Sequence, residues 1–181
     1  MVRFTCALLS SFVSYAGTSV GVQSSIVLAT FVMEAVAGQR ITSNDRIYRL
    51  CDRLELHPEI LDRRPGEVSI GQVQRVGILR ALIGEPPLVL PDEPLSALDA
   101  VTQKHTAKLI SDLQREEGFV ALIVTQDLGY ATAYANEIVV LKSGRIEEMT
   151  PSRAFLCEPK SNYGKILRSA AITLGVLDIP V

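Results

Sequence analysis

Tryptophan is absent from the 181 residues, and aromatic residues together make up only 6% of them. With few rings to stack on bases, a formal net charge of −2 and no run of lysines or arginines, the chain has neither half of a nucleic-acid surface, and no nucleic-acid partner is expected. Cysteine is scarce and odd in number. Cys6, Cys51 and Cys157 lie far apart with no metal-ligand spacing, which argues against a disulfide framework or a zinc cage and fits a reducing compartment. Two histidines occur, His57 before a proline and His105 inside a helical stretch, and neither is assigned a role. Long hydrophobic runs are missing too. Residues 4–33 carry no charge and follow Arg3, the outline of a leader or membrane anchor, but Ser10, Ser11, Ser14, Thr18, Ser19, Ser24 and Ser25 dilute them below any block of 18 apolar residues. This stretch is expected to form strand and loop of the same domain, with a secreted or anchored protein as the alternative.

What is present is length enough for one domain with a substantial core, and a dense stretch at residues 68–99. Ser69-Ile70-Gly71-Gln72 has the spacing of a capping box, in which the serine hydroxyl accepts from the third helical amide and the glutamine reaches back. A helix should start near Ile70. Its residues 73–83 are apolar almost all round, so it is expected to be largely buried, and Gly84 with Pro86-Pro87 should stop it. Leu88-Val89-Leu90 reads as a strand buried on both faces inside a parallel sheet. Asp92 and Glu93 follow at its carboxyl end, the place where ligands bind in open α/β sheets. Adjacent acids there can hold magnesium through its waters and polarise an attacking water; the plainer alternative is a solvated acidic loop.

Taken together these pieces resemble the ATP-binding cassette of ABC transporters. Residues 68–72 resemble the signature motif, residues 88–93 the Walker B strand, and Ser96-Ala97-Leu98-Asp99 the D-loop, in the family's order and spacing. The resemblance implies an incomplete P-loop NTPase-like ABC cassette of α/β class, with a parallel sheet core and a helical lobe. It implies ATP and Mg2+ as cofactors, with Asp92 on the metal and Glu93 and Gln126 in the catalytic set. It places Ser69, Gly71, Gln72, Asp99 and Gln23 at the nucleotide, Gln23 standing for the family's Q-loop glutamine. In that family the signature helix points its amino terminus at an ATP held by the opposite subunit, and a helix amino end is a natural anion site.

Around this stretch, Ser43 or Asn44 can cap a helix with Ile47, Leu50, Cys51 and Leu54 on one face. Its charges, Asp45, Arg46, Arg49, Asp52 and Arg53, are expected to face solvent. Asp99 can cap a long helix closed by Gly118, with Thr106, Leu109, Ile110 and Leu113 on one face. Residues 119–124 read as a second parallel strand, joined to the first by a right-handed crossover. At its end stands Gln126, where the family usually has a histidine. Glutamine can donate to phosphate but carries neither proton nor charge, so hydrolysis would be slowed. A hairpin is expected around Ser143-Gly144, then a short helix capped by Thr150 with Pro151 in its first turn. The tail containing Asn162-Tyr163-Gly164 resembles the extension of the oligopeptide, dipeptide and nickel importer branch.

The chain also departs from the family. No G-x-x-x-x-G-K-[ST] loop, the Walker A cradle for phosphates, occurs in the 181 residues, and Ile70 and Pro91 replace a signature glycine and an apolar strand residue. Losing three charge-assisted hydrogen bonds at roughly 1.5–3 kcal/mol each removes about 5 kcal/mol or more, about three to four powers of ten in affinity. The expected organisation is a core remnant at 1–22, a helical lobe at 23–84, the α/β core at 85–149 and a carboxyl-terminal extension at 150–181. The expected protein is an ATP-binding subunit on the inner face of the cell membrane, in the cytoplasm, working with a second ATP-binding subunit and with permease subunits. The alternative is a shortened cassette that acts as an interaction module without chemistry.

Overall fold

The computed structural model describes residues 4–10, 28–34 and 44–177. In chain order these form β1 (Phe4–Ser10), α1 (Leu28–Glu34), α2 (Asn44–Arg53), α3 (Ile70–Leu82), β2 (Leu88–Val89), α4 (Ala100–Glu117), β3 (Val120–Thr125), α5 (Leu128–Tyr134), β4 (Glu137–Lys142), β5 (Arg145–Pro151), α6 (Ser152–Cys157) and α7 (Asn162–Thr173), with two 3-10 turns before α3. They divide into two compact units.

The first unit contains residues 4–10, 90–94 and 120–177. Its strands follow the order β3-β1-β4-β5. β1 runs parallel to β3, with Cys6 opposite Ile123, and parallel to β4, with Cys6 opposite Ile138. β4 and β5 form the expected hairpin, and Ser143 and Gly144 at its tip both take positive φ (50° and 76°), the pair of left-handed residues a two-residue turn needs. In β3, Ala121, Ile123 and Thr125 are buried while Val120 is exposed, a half-buried pattern instead of the continuous burial its composition suggests.

After β5 the expected cap shifts by one role. Thr150 is a buried strand residue opposite Ile138, and Pro151 ends the strand and stands at the N-cap of α6, because its fixed φ suits both ends. Glu148, also buried in β5, accepts from the Lys160 and Ser161 amides at 2.9 and 2.8 Å. Gly164 closes over this carboxylate: a Cβ there would lie 2.8 Å from Glu148 Oε2 and 2.8 Å from Ser161 Oγ. The Asn162-Tyr163-Gly164 sequence is thus the start of a capped helix, with Ser161 Oγ accepting from the Gly164 amide at 2.9 Å.

The second unit holds residues 28–34, 44–89 and 95–119. α1 corrects the expectation of strand and loop for residues 4–33: Leu28 and Val32, four residues apart, are both buried and make a helical stripe. The cap of α3 forms as read, with Gln72 N donating to Ser69 Oγ at 3.2 Å and Ser69 N to Gln72 Oε1 at 2.9 Å. The helix itself is only half covered: Val76, Leu79 and Leu82 are buried, one stripe, and Ile70 is 63% exposed. Its exit is made by Glu85 at φ +52°, whose amide reaches Leu82 O, and not by a left-handed Gly84. β2 is two residues long, because prolines at 86, 87 and 91 leave few consecutive ladder donors, and Leu88 and Leu90 are exposed, so the strand is not buried on both faces as expected. α4 carries both expected ends: Asp99 accepts from Val101 N and Thr102 N, and Gly118 closes it at φ +76°. The long α4, expected with the core, packs in this unit.

Of the α2 charges expected to face solvent, Asp45, Arg49, Asp52 and Arg53 are exposed, and Arg46 is the one that is not. Arg46 has a side chain only 11% exposed and reaches the far end of α3 and of α4. Arg53 pairs with Glu116. The two histidines also find acids, His105 with Glu55 at 2.7 Å and His57 with Glu59 at 3.6 Å.

Candidate functional site

In the first unit, residues 90–94 run beside the end of β3. Asp92 bridges Val124 in parallel, Val124 N donates to Pro91 O at 2.9 Å and Glu93 N to Val124 O at 2.9 Å. Pro91 fits this ladder because its carbonyl, and not the amide it lacks, is the group used. Glu93 then turns with φ +46°, a left-handed conformation uncommon outside glycine. The turn brings its carboxylate onto the next loop: Oε1 accepts from Gln126 N at 3.0 Å and Oε2 from Thr125 Oγ1 at 3.3 Å. Thr125 Oγ1 in turn accepts from Asp127 N at 3.1 Å, and Asp127 caps α5 through Tyr130 N.

Burial pushes the Glu93 carboxyl above the usual glutamate range, the neighbouring charges of Asp92 and Asp127 add to this, and the two hydrogen bonds oppose it without cancelling it. An acid so held takes up a proton readily, which suits a general base. Of the residues expected in the catalytic set, the structure brings Asp92, Glu93 and Gln126 to the end of β3, with the Gln126 backbone amide and not its side chain meeting Glu93; Thr125 was not among those expected.

Magnesium is the expected metal. Among the described residues no cluster of three acidic, histidine or cysteine side chains could cage an ion. One or two carboxylates are what magnesium usually takes from a protein, the rest being waters and phosphate oxygens, so Asp92 fits it.

In the second unit, Ser69 and Ile70 stand exposed at the amino end of α3. Gly71 packs against α4, where a Cβ would meet Thr102 Cγ2 at 3.5 Å and Leu98 Cδ2 at 3.6 Å, and Gln72 is held in the capping box. The exposed Asp99 carboxylate is held below its usual range first by the Thr102 hydroxyl, 2.7 Å away, and by the Thr102 amide. Ser69, Gly71 and Asp99 thus belong to two neighbouring helix starts. Gln23 lies outside the described residues. At the other end of these helices, a cavity of about 400 Å³ is lined by Arg46, Arg49, Leu82, Glu85, Glu117 and Phe119 among others. No helix among the described residues is long and apolar enough to cross a membrane.

Comparison with known proteins meets this geometry. Residues 10–96 match the family model described as ABC transporter. The chain is 40% identical over 119 residues to the glycine betaine/carnitine/choline transport ATP-binding protein OpuCA of Bacillus subtilis, covering 66% of this chain and 31% of that protein. It is 36% identical over 135 residues to the oligopeptide transport ATP-binding protein OppF of Lactococcus lactis, covering 75% of this chain and 42% of that one. The chain therefore spans less than half the length of these curated relatives. Among solved structures, the dimeric bacterial ABC transporter cassette MJ0796 superposes with a TM-score of 0.64 at 28% identity, over 76% of this chain and 61% of that chain. The chain has the fold of the ABC ATPase cassettes, and its residues 10–96 match the ABC transporter family model.

Proposed function

We propose that this chain is the ATP-binding subunit of an importer for a peptide, nickel or a similar small solute, and that it works head-to-tail with a second ATP-binding subunit that supplies the phosphate loop. The observation that carries the reading is the convergence of Asp92, Glu93 and the Gln126 amide, from segments more than thirty residues apart, at the end of one strand. Peptide-import and oligopeptide-transport relatives favour the solute class.

Magnesium, when bound, would neutralise phosphate charge, and Asp92 is the residue that would hold it. Glu93 accepts the proton of the attacking water. The Gln126 side chain donates to phosphate without carrying a proton, and Gln23 takes the part of the family's Q-loop glutamine. Ser69, Gly71 and Gln72 offer the amino end of α3 to the γ-phosphate of a nucleotide on the facing subunit, beside Asp99. Permease subunits hold the chain on the inner face of the membrane. Hydrolysis by the mixed pair tests the reading: Ser69→Arg places a bulky cation at the tip and should abolish the turnover that depends on this chain, and unchanged turnover would contradict it.

A second reading, a cassette serving as an interaction module without chemistry, is favoured by Gln126 in the histidine position. Tight binding of magnesium ATP by this chain alone, measured by calorimetry, would contradict that reading.

A further inference from the structure

We propose that Arg46 is a positioning residue that ties the carboxyl ends of α3 and α4 together, so that Ser69 and Asp99 at their amino ends are presented as one rigid piece. The functional meaning rests on the reading of those two ends as the surface offered to a facing nucleotide; the geometry does not.

The Arg46 guanidinium serves three elements besides its own. Nε donates to Ile83 O at 3.1 Å and Nη2 to Leu82 O at 2.9 Å, two of the last carbonyls of α3, which have no partner within the helix. Nη2 also donates to Glu117 Oε2 at 2.9 Å, on the final residue of α4, and Nη1 lies 3.2 Å from Glu85 Oε1 in the exit turn. A planar fork meets these acceptors at fixed angles, which the single point charge of a lysine cannot do. With the Arg46 side chain 11% exposed and that of Glu117 21% exposed, displacing one partner strands the others away from water, so the link is stiff.

At the opposite end the two helix starts are neighbours: a Cβ on Gly71 would come within 3.5 Å of Thr102 Cγ2 and 3.6 Å of Leu98 Cδ2. The link through Arg46 thus acts on two helices whose amino ends lie side by side. Arg46 also lines the cavity between these carboxyl ends.

The test uses the full chain with Cys6 and Cys157 replaced by serine, Cys51 being buried, and spin labels at Ile70→Cys and Val101→Cys, both exposed positions. Dipolar broadening of the EPR spectrum reads the tip-to-tip distance. The parent should give one narrow distribution, and Arg46→Met and Arg46→Lys should both shift and widen it, although the substitution lies at the far end of the helices. A local cap on α3 alone would leave the tip unmoved, so an unchanged spectrum in a folded variant would overturn the proposal. If Arg46→Met fails to fold, Arg46→Lys decides. Loss of the fold in both would overturn it too, since Arg46 would then serve folding and not position. Failure here leaves the Ser69→Arg hydrolysis result standing or falling by itself.

Discussion

Glu93 and Glu148 are both drawn away from water within the first unit, yet their surroundings favour opposite charge states. At the β5–α7 junction, burial raises the Glu148 carboxyl, but the amides of Lys160 and Ser161, the Ser161 hydroxyl and the Lys160 charge outweigh it, so the group sits below the usual glutamate range. At the end of β3, Glu93 has one amide and one hydroxyl against burial and two neighbouring carboxylates, and sits above that range. The first arrangement stabilises an anion and holds chain segments together. The second holds an anion at a cost, in a left-handed turn like those at Glu85 and Ser143.

The difference predicts opposite responses to substitution. The largest effect belongs to Glu148→Ala, which leaves two amides without their acceptor and should destabilise the chain by about 3 kcal/mol, read as a lower urea midpoint. Gly164→Ala should cost about 2 kcal/mol, because its methyl would press on both Glu148 Oε2 and Ser161 Oγ. Acid titration tests the same junction. A carboxyl lowered in the folded state contributes stability that is full above its unfolded value of about 4.3 and is lost as pH falls through the folded value. Glu148→Gln should therefore flatten the acid limb of the stability profile measured by urea unfolding between neutral and acidic pH.

Glu93→Gln should do the reverse at neutral pH, raising stability by up to about 1 kcal/mol as burial and the repulsion from Asp92 and Asp127 are relieved. The smallest effect concerns a neutral group. The buried Thr106 hydroxyl has no hydrogen-bond partner, so Thr106→Val should raise the thermal midpoint slightly, by about 0.5 kcal/mol in stability.

What could be read from the sequence was what is made locally. The boxes at Ser69 and Asp99, the closure at Gly118 and the turn at Ser143-Gly144 each need residues no more than a few positions apart, and they stand as read. The acid pair was legible through family resemblance, but not the way it is held, since Glu93 meets Thr125 and Gln126 across 32 and 33 residues. Arg46 was read as a solvent charge because its partners lie 36, 37 and 71 residues on. One signal was available: it sits four positions before the buried Leu50, on the border of the apolar stripe. Glu148 was hidden for a similar reason, as the amides that bury it belong to a turn twelve residues later. α1 escaped because seven residues with no acidic first turn or basic last turn carry little helical signal.

The central contrast is settled most directly by urea unfolding of three full-length chains side by side at neutral pH: the parent, Glu93→Gln and Glu148→Gln. The account predicts a midpoint above the parent for Glu93→Gln and below it for Glu148→Gln. Two variants that both fall below the parent by similar amounts would contradict it, since Glu93 would then be one more structural carboxylate.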